Sequence, residues 1–403
     1  MNIYQISFKN LYRNPLTTAL NVMLVAFGVG ILCILLLASK QIESKLEQNA
    51  KDIDLVVGAK GSPLQLILSS IYHIDFPTGN ISVADAEPIM HNPMVKRAVP
   101  LALGDSYEGF RIAGTDSAFI QLYQLELGSG KYWKDDLEVN IGSTVAKTTG
   151  LKVGDRFYGA HGLDGNGDEH KHHMYMVTGI LKARGNVTDD LILTNVGSVY
   201  KMHEAEGAEE HEPTGHHEEK EINDKEITAI LIQYRSPMSV VLFPRMVNKN
   251  TNMQAASPAM ESARLFSLIG IGLDTLKYFA FLIMAISGLS IFISLYNSMK
   301  EKKYDLALMR CLGASKGKLF FHVVLEAIAV TLIGSCLGIL IGHAAVQIIG
   351  FYQESAQARL TGNYFIQEEL YLILAGLIIG LVASIIPALQ VYRVDIAKTL
   401  SKS

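Results

Sequence analysis

The sequence predicts a membrane protein with four transmembrane α-helices and a large α+β extracytoplasmic domain between spans one and two. Three observations carry this reading. Four mainly apolar stretches, about Thr17–Ser39, Leu276–Ser298, Leu319–Gly350 and Leu370–Val391, reach the roughly 18 residues needed to cross a bilayer. Basic residues gather on one side of all four. The long interval between the first and second is polar and rich in β-type runs. Composition agrees: 49% of the 403 residues are hydrophobic, only 18% are charged against about 25% in an ordinary soluble domain, and the mean hydropathy is +0.24. A net charge of −4 gives no basic excess for nucleic acid. Cys33, Cys311 and Cys336 lie in or beside apolar segments, so the polar interval has neither a disulfide framework nor a cysteine zinc site.

At the N-terminus, "IYQISFKNLYRNP" places Tyr4, Phe8, Leu11 and Tyr12 on one helical face, and Pro15 stops it. The segment reads as an interfacial helix on the inner surface, or as a simple extension of span one. Lys9 and Arg13 before an apolar run imitate a secretory signal. The run is too long, and no small-residue cleavage site follows Ala38, so residues 1–39 are expected to hold an uncleaved anchor. Lys9 and Arg13, then Lys300, Lys302, Lys303, Arg310, Lys316 and Lys318, then Arg393, Lys398 and Lys402, all fall on one side. The positive-inside rule makes that side cytoplasmic and residues 40–275 external.

Within the outer domain, 40–256, "VKRAVPLALG", "EGFRIAGT", "MYMVTGIL" and "EITAILIQY" read as strands. "ISVADAEPIM" reads as a helix capped by Ser82. Two histidine-bearing stretches, 161–173 and 203–221, have no apolar period and are expected as loops grafted between strands. "DGNGDE" from Asp164 fails as a calcium loop, because Glu169 stands at the turning position and Tyr175 at the twelfth. His170, His172, His173, His203, His211, His216 and His217 are candidate ligands for a transition metal, zinc first, with acidic neighbours to complete the sphere. The alternative is a solvated acidic loop in which histidine is incidental.

Ser257 and Pro258 read as the cap and first residue of a stalk helix that continues into span two, residues 257–299. The connection 300–318 contains "GASKGK", which is one residue short of a nucleotide-binding loop and has Leu319 where a magnesium-binding hydroxyl belongs. No nucleophile triad appears either, so no enzyme is expected. Instead, Tyr304–Leu312 reads as a short helix ended by Gly313, with Ser315 capping the next. Leu306, Leu308, Met309 and Leu312, with Arg310, offer a partner a docking face, or else pack against the membrane surface. In span three, 319–350, Gly334, Gly338 and Gly342 form a small-residue face for another helix. Glu326, flanked by His322 and His343, is expected to bond a neighbouring helix rather than relay protons. An outer loop, 351–369, leads to span four and the tail, 370–403.

Several segments resemble the permease subunits of the MacB, LolC/LolE and FtsX type, the type VII ABC transporters. They are "FKNLYRNPLTTALNVMLVAFGV", "IGSTVAKTTGLKVGD", "EKKYDLALMRCLGASKGKLF", "FHVVLEAIAVTLIGSCLGILIG" and "IIPALQVYRVDIAKTL". The family plan of one span, an outer domain and three more spans covers the chain from end to end. The resemblance implies an inner-membrane permease working as a dimer with a separate ATPase that binds ATP, together with a periplasmic adaptor or substrate-binding protein. ATP-driven motion would be transmitted to the outer domain to move a substrate outward. The competing expectations are an FtsX-like regulator that activates an outer partner, and a metal-sensing receptor. The stretch "DLVVGAKGSPLQLILSSIYHIDFPTGNI" and the histidine loops are not family features, so no substrate is implied.

Overall fold

The computed structural model describes residues 9, 11–162, 173–207, 225–353 and 359–393. A helical turn at Leu11–Arg13 precedes α1 (Pro15–Asn49). Then come β1 (Leu55–Ala59), α2 (Pro63–Ser70), β2 (Ile81–Ser82), α3 (Val83–Met90), β3 (Val95–Tyr107), β4 (Phe110–Thr115) and α4 (Ser117–Leu122). β5 (Leu127–Gly130), β6 (Glu138–Ile141), α5 (Ser143–Thr149), β7 (Arg156–Phe157), β8 (Ala160–His161), β9 (Tyr175–Leu181) and β10 (Leu191–Asn195) follow. α6 (Val196–Gly207), β11 (Glu226–Ile227), β12 (Ala229–Tyr234), α7 (Ser239–Asn250) and β13 (Met253–Ala256) complete the polar interval. The rest is helical: α8 (Pro258–Glu301), α9 (Lys303–Cys311), α10 (Lys316–Tyr352) and α11 (Glu369–Gln390). Two compact units result, divided between Ile42 and Glu43 and between Ser267 and Leu268.

The outer unit is built on one mixed sheet in the order β13-β1-β12-β3-β4-β10-β6-β9-β5, with β7 on β9 and β8 on β3. The β4–β10 and β6–β9 pairs are parallel. Strand β12 shows why its sequence is an unbroken apolar run. Ala229 and Leu231 enter one core with Val56, Leu101 and Phe119, while Ile230 and Ile232 enter another with Leu55, Phe243 and Val247. Helices cover both faces, so alternation is lost from the sequence although it persists in the side chains. Ser82 caps α3, accepting from the Ala84 amide at 3.2 Å. The segment before β7 turns at Gly150 and Gly154, both at positive φ, and Asp155 accepts from the Lys152 amide at 2.8 Å.

The histidine-bearing stretches depart from the expected loops where they can be seen. Residues 203–207, which include His203, continue α6, because Glu204, Ala205 and Glu206 favour a helix already under way. Ala160–His161 pairs with β3, as β8. Residues 163–172 and 208–224 lie outside the described residues.

The membrane unit contains the first three expected spans inside longer helices of 35, 44 and 37 residues. The fourth, expected at Leu370–Val391, coincides to within one residue at each end with a helix of 22 residues, Glu369–Gln390. At about 1.5 Å per residue, the first three greatly exceed a hydrocarbon core of about 30 Å, and the fourth just spans it. Helix α8 begins at Pro258, where the missing amide donor costs nothing. A bend at Asn14 precedes Pro15, which starts α1 rather than only ending what comes before. The single apolar face expected for the N-terminal segment divides: Leu11 is buried in the bundle core, whereas Tyr12 is 83% exposed. Tyr4 and Phe8 lie outside the described residues.

Candidate functional site

Helix α9 joins the inner ends of the second and third spans. Asp305 in its first turn and Arg310 in its last suit the helix dipole. Its end is a Schellman turn: the Gly313 amide donates to the Arg310 carbonyl at 3.1 Å and the Ala314 amide to the Met309 carbonyl at 3.0 Å. That arrangement needs φ +95° at residue 313, which glycine supplies without strain. Ser315 then caps α10 by accepting from the Lys318 amide at 3.3 Å. The helix is therefore locally encoded at its C-terminal end, and its orientation is set by packing.

Leu306 is buried in the bundle core at 2% exposure, Met309 packs against that core, and Ala307 is fully buried. Leu308 and Leu312 are exposed, at 45% and 77%, as is Tyr304. The expected docking set thus divides. Leu306 is not available to a partner, because it is the residue that anchors the helix. Tyr304, Leu308 and Leu312, four residues apart, form the outward stripe, and sequence reasoning missed Tyr304. Arg310 is half-buried beside them.

The glycine face of α10 meets α1. A β-carbon on Gly334 would lie 2.7 Å from Val25, one on Gly338 would lie 2.7 Å from the Ala26 carbonyl oxygen, and one on Gly342 would lie 2.8 Å from Cys33. An adjoining row of α10 presents Thr331 and Ser335 to Gly380 and Gly376 of α11. Small residues therefore let both neighbours approach α10 closely. Glu326 is half-buried near the start of α10, within electrostatic reach of Lys302.

At the other end of the bundle lies a polar network. His343 Nδ1 meets the Gly362 carbonyl at 2.6 Å, and its Nε2 is 3.2 Å from Glu369 Oε2, an ion-pair distance without hydrogen-bond alignment. Gln41 accepts from the Thr361 amide at 2.8 Å and donates to its carbonyl at 2.9 Å. Gln347 accepts from the Gly362 amide at 2.9 Å. The loop after α10 is thereby held to α1, α10 and α11. Sequence reasoning named only His343 here. The signal it passed over is His343 and Gln347, polar residues one helical turn apart in an apolar run.

His173 is half-buried just before β9, and His203 lies on α6. His170, His172, His211, His216 and His217 lie outside the described residues. Among the described residues no cluster of three histidine, cysteine or acidic side chains is placed to hold a metal.

Comparison with known proteins agrees with this architecture. The profile of the FtsX-like permease C-terminal domain matches residues 278–396, and that of the MacB-like periplasmic core domain matches residues 18–243. An uncharacterized ABC transporter permease protein of Mycobacterium tuberculosis is 26% identical over 284 residues, 66% of this chain and 29% of the relative. The chain thus spans less than a third of that relative's length. The periplasmic region of MacB from Actinobacillus actinomycetemcomitans is 10% identical, with a TM-score of 0.34 over 55% of this chain and 97% of that one. The extracellular domain of the noncanonic ABC-type transporter YknZ from Gram-positive bacteria is 14% identical, with a TM-score of 0.30 over 51% and 99% of the two chains.

Proposed function

Because the chain belongs to the family of FtsX-like permeases with a MacB-like periplasmic core domain, we propose that it is the membrane subunit of an ABC complex whose ATP hydrolysis resides on a separate ATPase. The observation that supports this reading is α9: a short helix anchored by Leu306 and Ala307 that turns Tyr304, Leu308 and Leu312 outward. Apolar side chains held out in this way gain roughly 1.5–3 kcal/mol each when a partner buries them. Two copies of the permease would act with two ATPases. Closure on ATP would press on α9, and α8, running from Pro258 to Glu301, is the covalent route from there to the outer domain. The motion would drive a substrate outward from the periplasmic side, with an adaptor or substrate-binding protein as the outer partner.

Copurification tests this. Leu308→Glu with Leu312→Glu places charge on the stripe, which loses its burial and adds a desolvation cost. The pair should abolish recovery of the ATP-binding subunit while leaving the permease inserted and folded. Normal recovery would place the docking surface elsewhere.

Seven of the eight histidines of 161–173 and 203–221, all but His161, are set among acidic residues and support a further element of the reading, weak capture of zinc by the outer domain. Zinc binding by the full chain should weaken as pH falls through about 6.5 and vanish when all seven are serine. Calcium, which prefers oxygen ligands, should be indifferent to the change.

A further inference from the structure

The two helices that join the outer domain to the membrane spans meet buried tyrosines where they enter it. The last turns of α1 and the first turns of α8 both belong to the outer unit. Between them is a hollow of about 510 Å³, lined by Leu46, Ala50, Ile53, Ser262, Ala263 and Phe266 among others. These turns are therefore not packed face to face. Tyr72, which follows α2, bridges them at the rim of the hollow. Its hydroxyl donates to the Leu46 carbonyl of α1 at 3.4 Å and lies 2.9 Å from Ser262 Oγ of α8. A phenol has one hydrogen, so with that hydrogen on Leu46 the Ser262 hydroxyl donates to the tyrosine oxygen. Tyr72 is 3% exposed and belongs to the same core as Val56, Leu101 and Phe119. Close packing there keeps its ring from swinging aside to follow one helix alone.

Helix α1 is held a second time. Asn49, its last residue and 4% exposed, accepts at Oδ1 from the Val187 amide at 2.9 Å. Its carbonyl accepts from the Tyr123 hydroxyl at 3.1 Å. Helix α8 has less. Among the described residues, the bond between Ser262 and Tyr72 is the one side-chain hydrogen bond from α8 to the body of the outer domain.

We propose that Tyr72 is a positioning residue that couples the end of α1 to the start of α8, so that the two helices turn the outer domain together. Without its hydroxyl, α8 would join the domain through the chain connection at Ser257 and Pro258 and could pivot there. The inference rests on the reading above only for what moves the helices. The coupling is tested on the permease without an ATPase, so its failure is separate from failure of that reading.

Tyr72→Phe keeps the ring and removes the hydroxyl. The Leu46 carbonyl still accepts from the Ala50 amide at 3.2 Å, and a helical serine can turn back to its own backbone, so the variant should fold. Hydrogen exchange of the full chain in nanodiscs, followed by mass spectrometry, measures the coupling. Tyr72→Phe should speed exchange about fivefold in both 46–50 and 262–266, the effect of losing one net hydrogen bond. Ser262→Ala, a change on α8, should speed exchange in 46–50 of α1 as well, because coupling acts in both directions. The double variant should add little to either single one. Tyr123→Phe should loosen 46–50 and leave 262–266 unchanged.

A second measurement separates positioning from stability. Spin labels at Ser129→Cys and Ser267→Cys, with the exposed Cys311 and Cys336 replaced by serine, report the tilt of α8 on the sheet. The parent chain should give one narrow distance distribution, and Tyr72→Phe a broad one. The proposal is overturned if Ser262→Ala changes exchange in α8 alone, or if Tyr123→Phe loosens both helices. It is equally overturned if the label distances are the same with and without the Tyr72 hydroxyl.

Discussion

Gly338 of α10 rests on the backbone of α1: a methyl group on its α-carbon would lie 2.7 Å from the Ala26 carbonyl oxygen. That oxygen belongs to a helix backbone and cannot yield as a flexible side chain would. Gly338→Ala should therefore destabilise the bundle by about 1–3 kcal/mol, as overpacking does. Gly270→Ala on α8, where nothing lies within 4 Å, should be neutral or stabilising by up to about 1 kcal/mol. Thermal unfolding of both variants in one detergent compares them directly. Equal stability would mean that the seam between α1 and α10 is looser than described.

On α9 the two leucine environments should separate cleanly. Leu306→Ala empties a buried site and should cost about 2–5 kcal/mol. Leu312→Ala, at 77% exposure, should fall within about 0.5 kcal/mol of the parent chain. Chemical denaturation of the purified permease without partners measures both. A similar cost at the two positions would show that the anchored and outward faces have been misassigned.

His73 gives the outer domain a pH dependence of definite sign. It is 7% exposed, and burial, aided by the charge of Arg111, pushes its pKa down to about 3. Below about 6.5 the unfolded chain takes up a proton that the folded chain refuses, so acid favours unfolding. The stabilising effect is complete above that pH and is eroded at about 1.4 kcal/mol per unit as pH falls toward 3. Residue 73 has φ +53°, a region asparagine tolerates, so His73→Asn removes the titration with little backbone strain. Urea unfolding followed by the single tryptophan, Trp133, reports on the outer domain. The stability of the parent chain should fall more steeply with acid than that of the variant, and parallel curves would refute the assignment.

At the outer end of the bundle, the Gly362 carbonyl can only accept, so His343 Nδ1 must carry the hydrogen between them. Nε2 then faces the Glu369 carboxyl at 3.2 Å, so the two side chains are packed against one another in a site closed to water. Removing either partner strands the other in a buried site. His343→Ala and Glu369→Ala should each cost about 3–5 kcal/mol. The double variant should cost less than their sum, by about 0.5–3 kcal/mol. Strict additivity in a double-mutant cycle of thermal or denaturant unfolding would show that the two side chains do not act together.

Much of this architecture was legible without coordinates, and the legible parts share a cause. Span length, the Ser82 and Ser315 caps, Pro258 at a helix start and Gly313 at a helix end all depend on a few neighbouring residues. Those residues either satisfy a stretch of backbone locally or make a segment long and apolar enough to cross a bilayer. The spacing of Gly334, Gly338 and Gly342 likewise announced a close-packed face. That α1 would be its partner was a matter for the tertiary structure, because any helix with a matching surface satisfies the same spacing. The same limit applies on α9, where Leu306 and Leu308 are equally apolar and the helical period places them on different stripes. Which stripe turns inward depends on the bundle, and so does the meeting of His343 with Glu369, brought about by the loop between α10 and α11. The parallel pairing of β4 with β10 is of this kind too, since 75 residues lie between Thr115, which ends β4, and Leu191, which begins β10, and strand alternation is masked where both sheet faces are covered. Local free energies are written within a window of a few residues. Burial and shape complementarity between distant segments exist only once those segments meet.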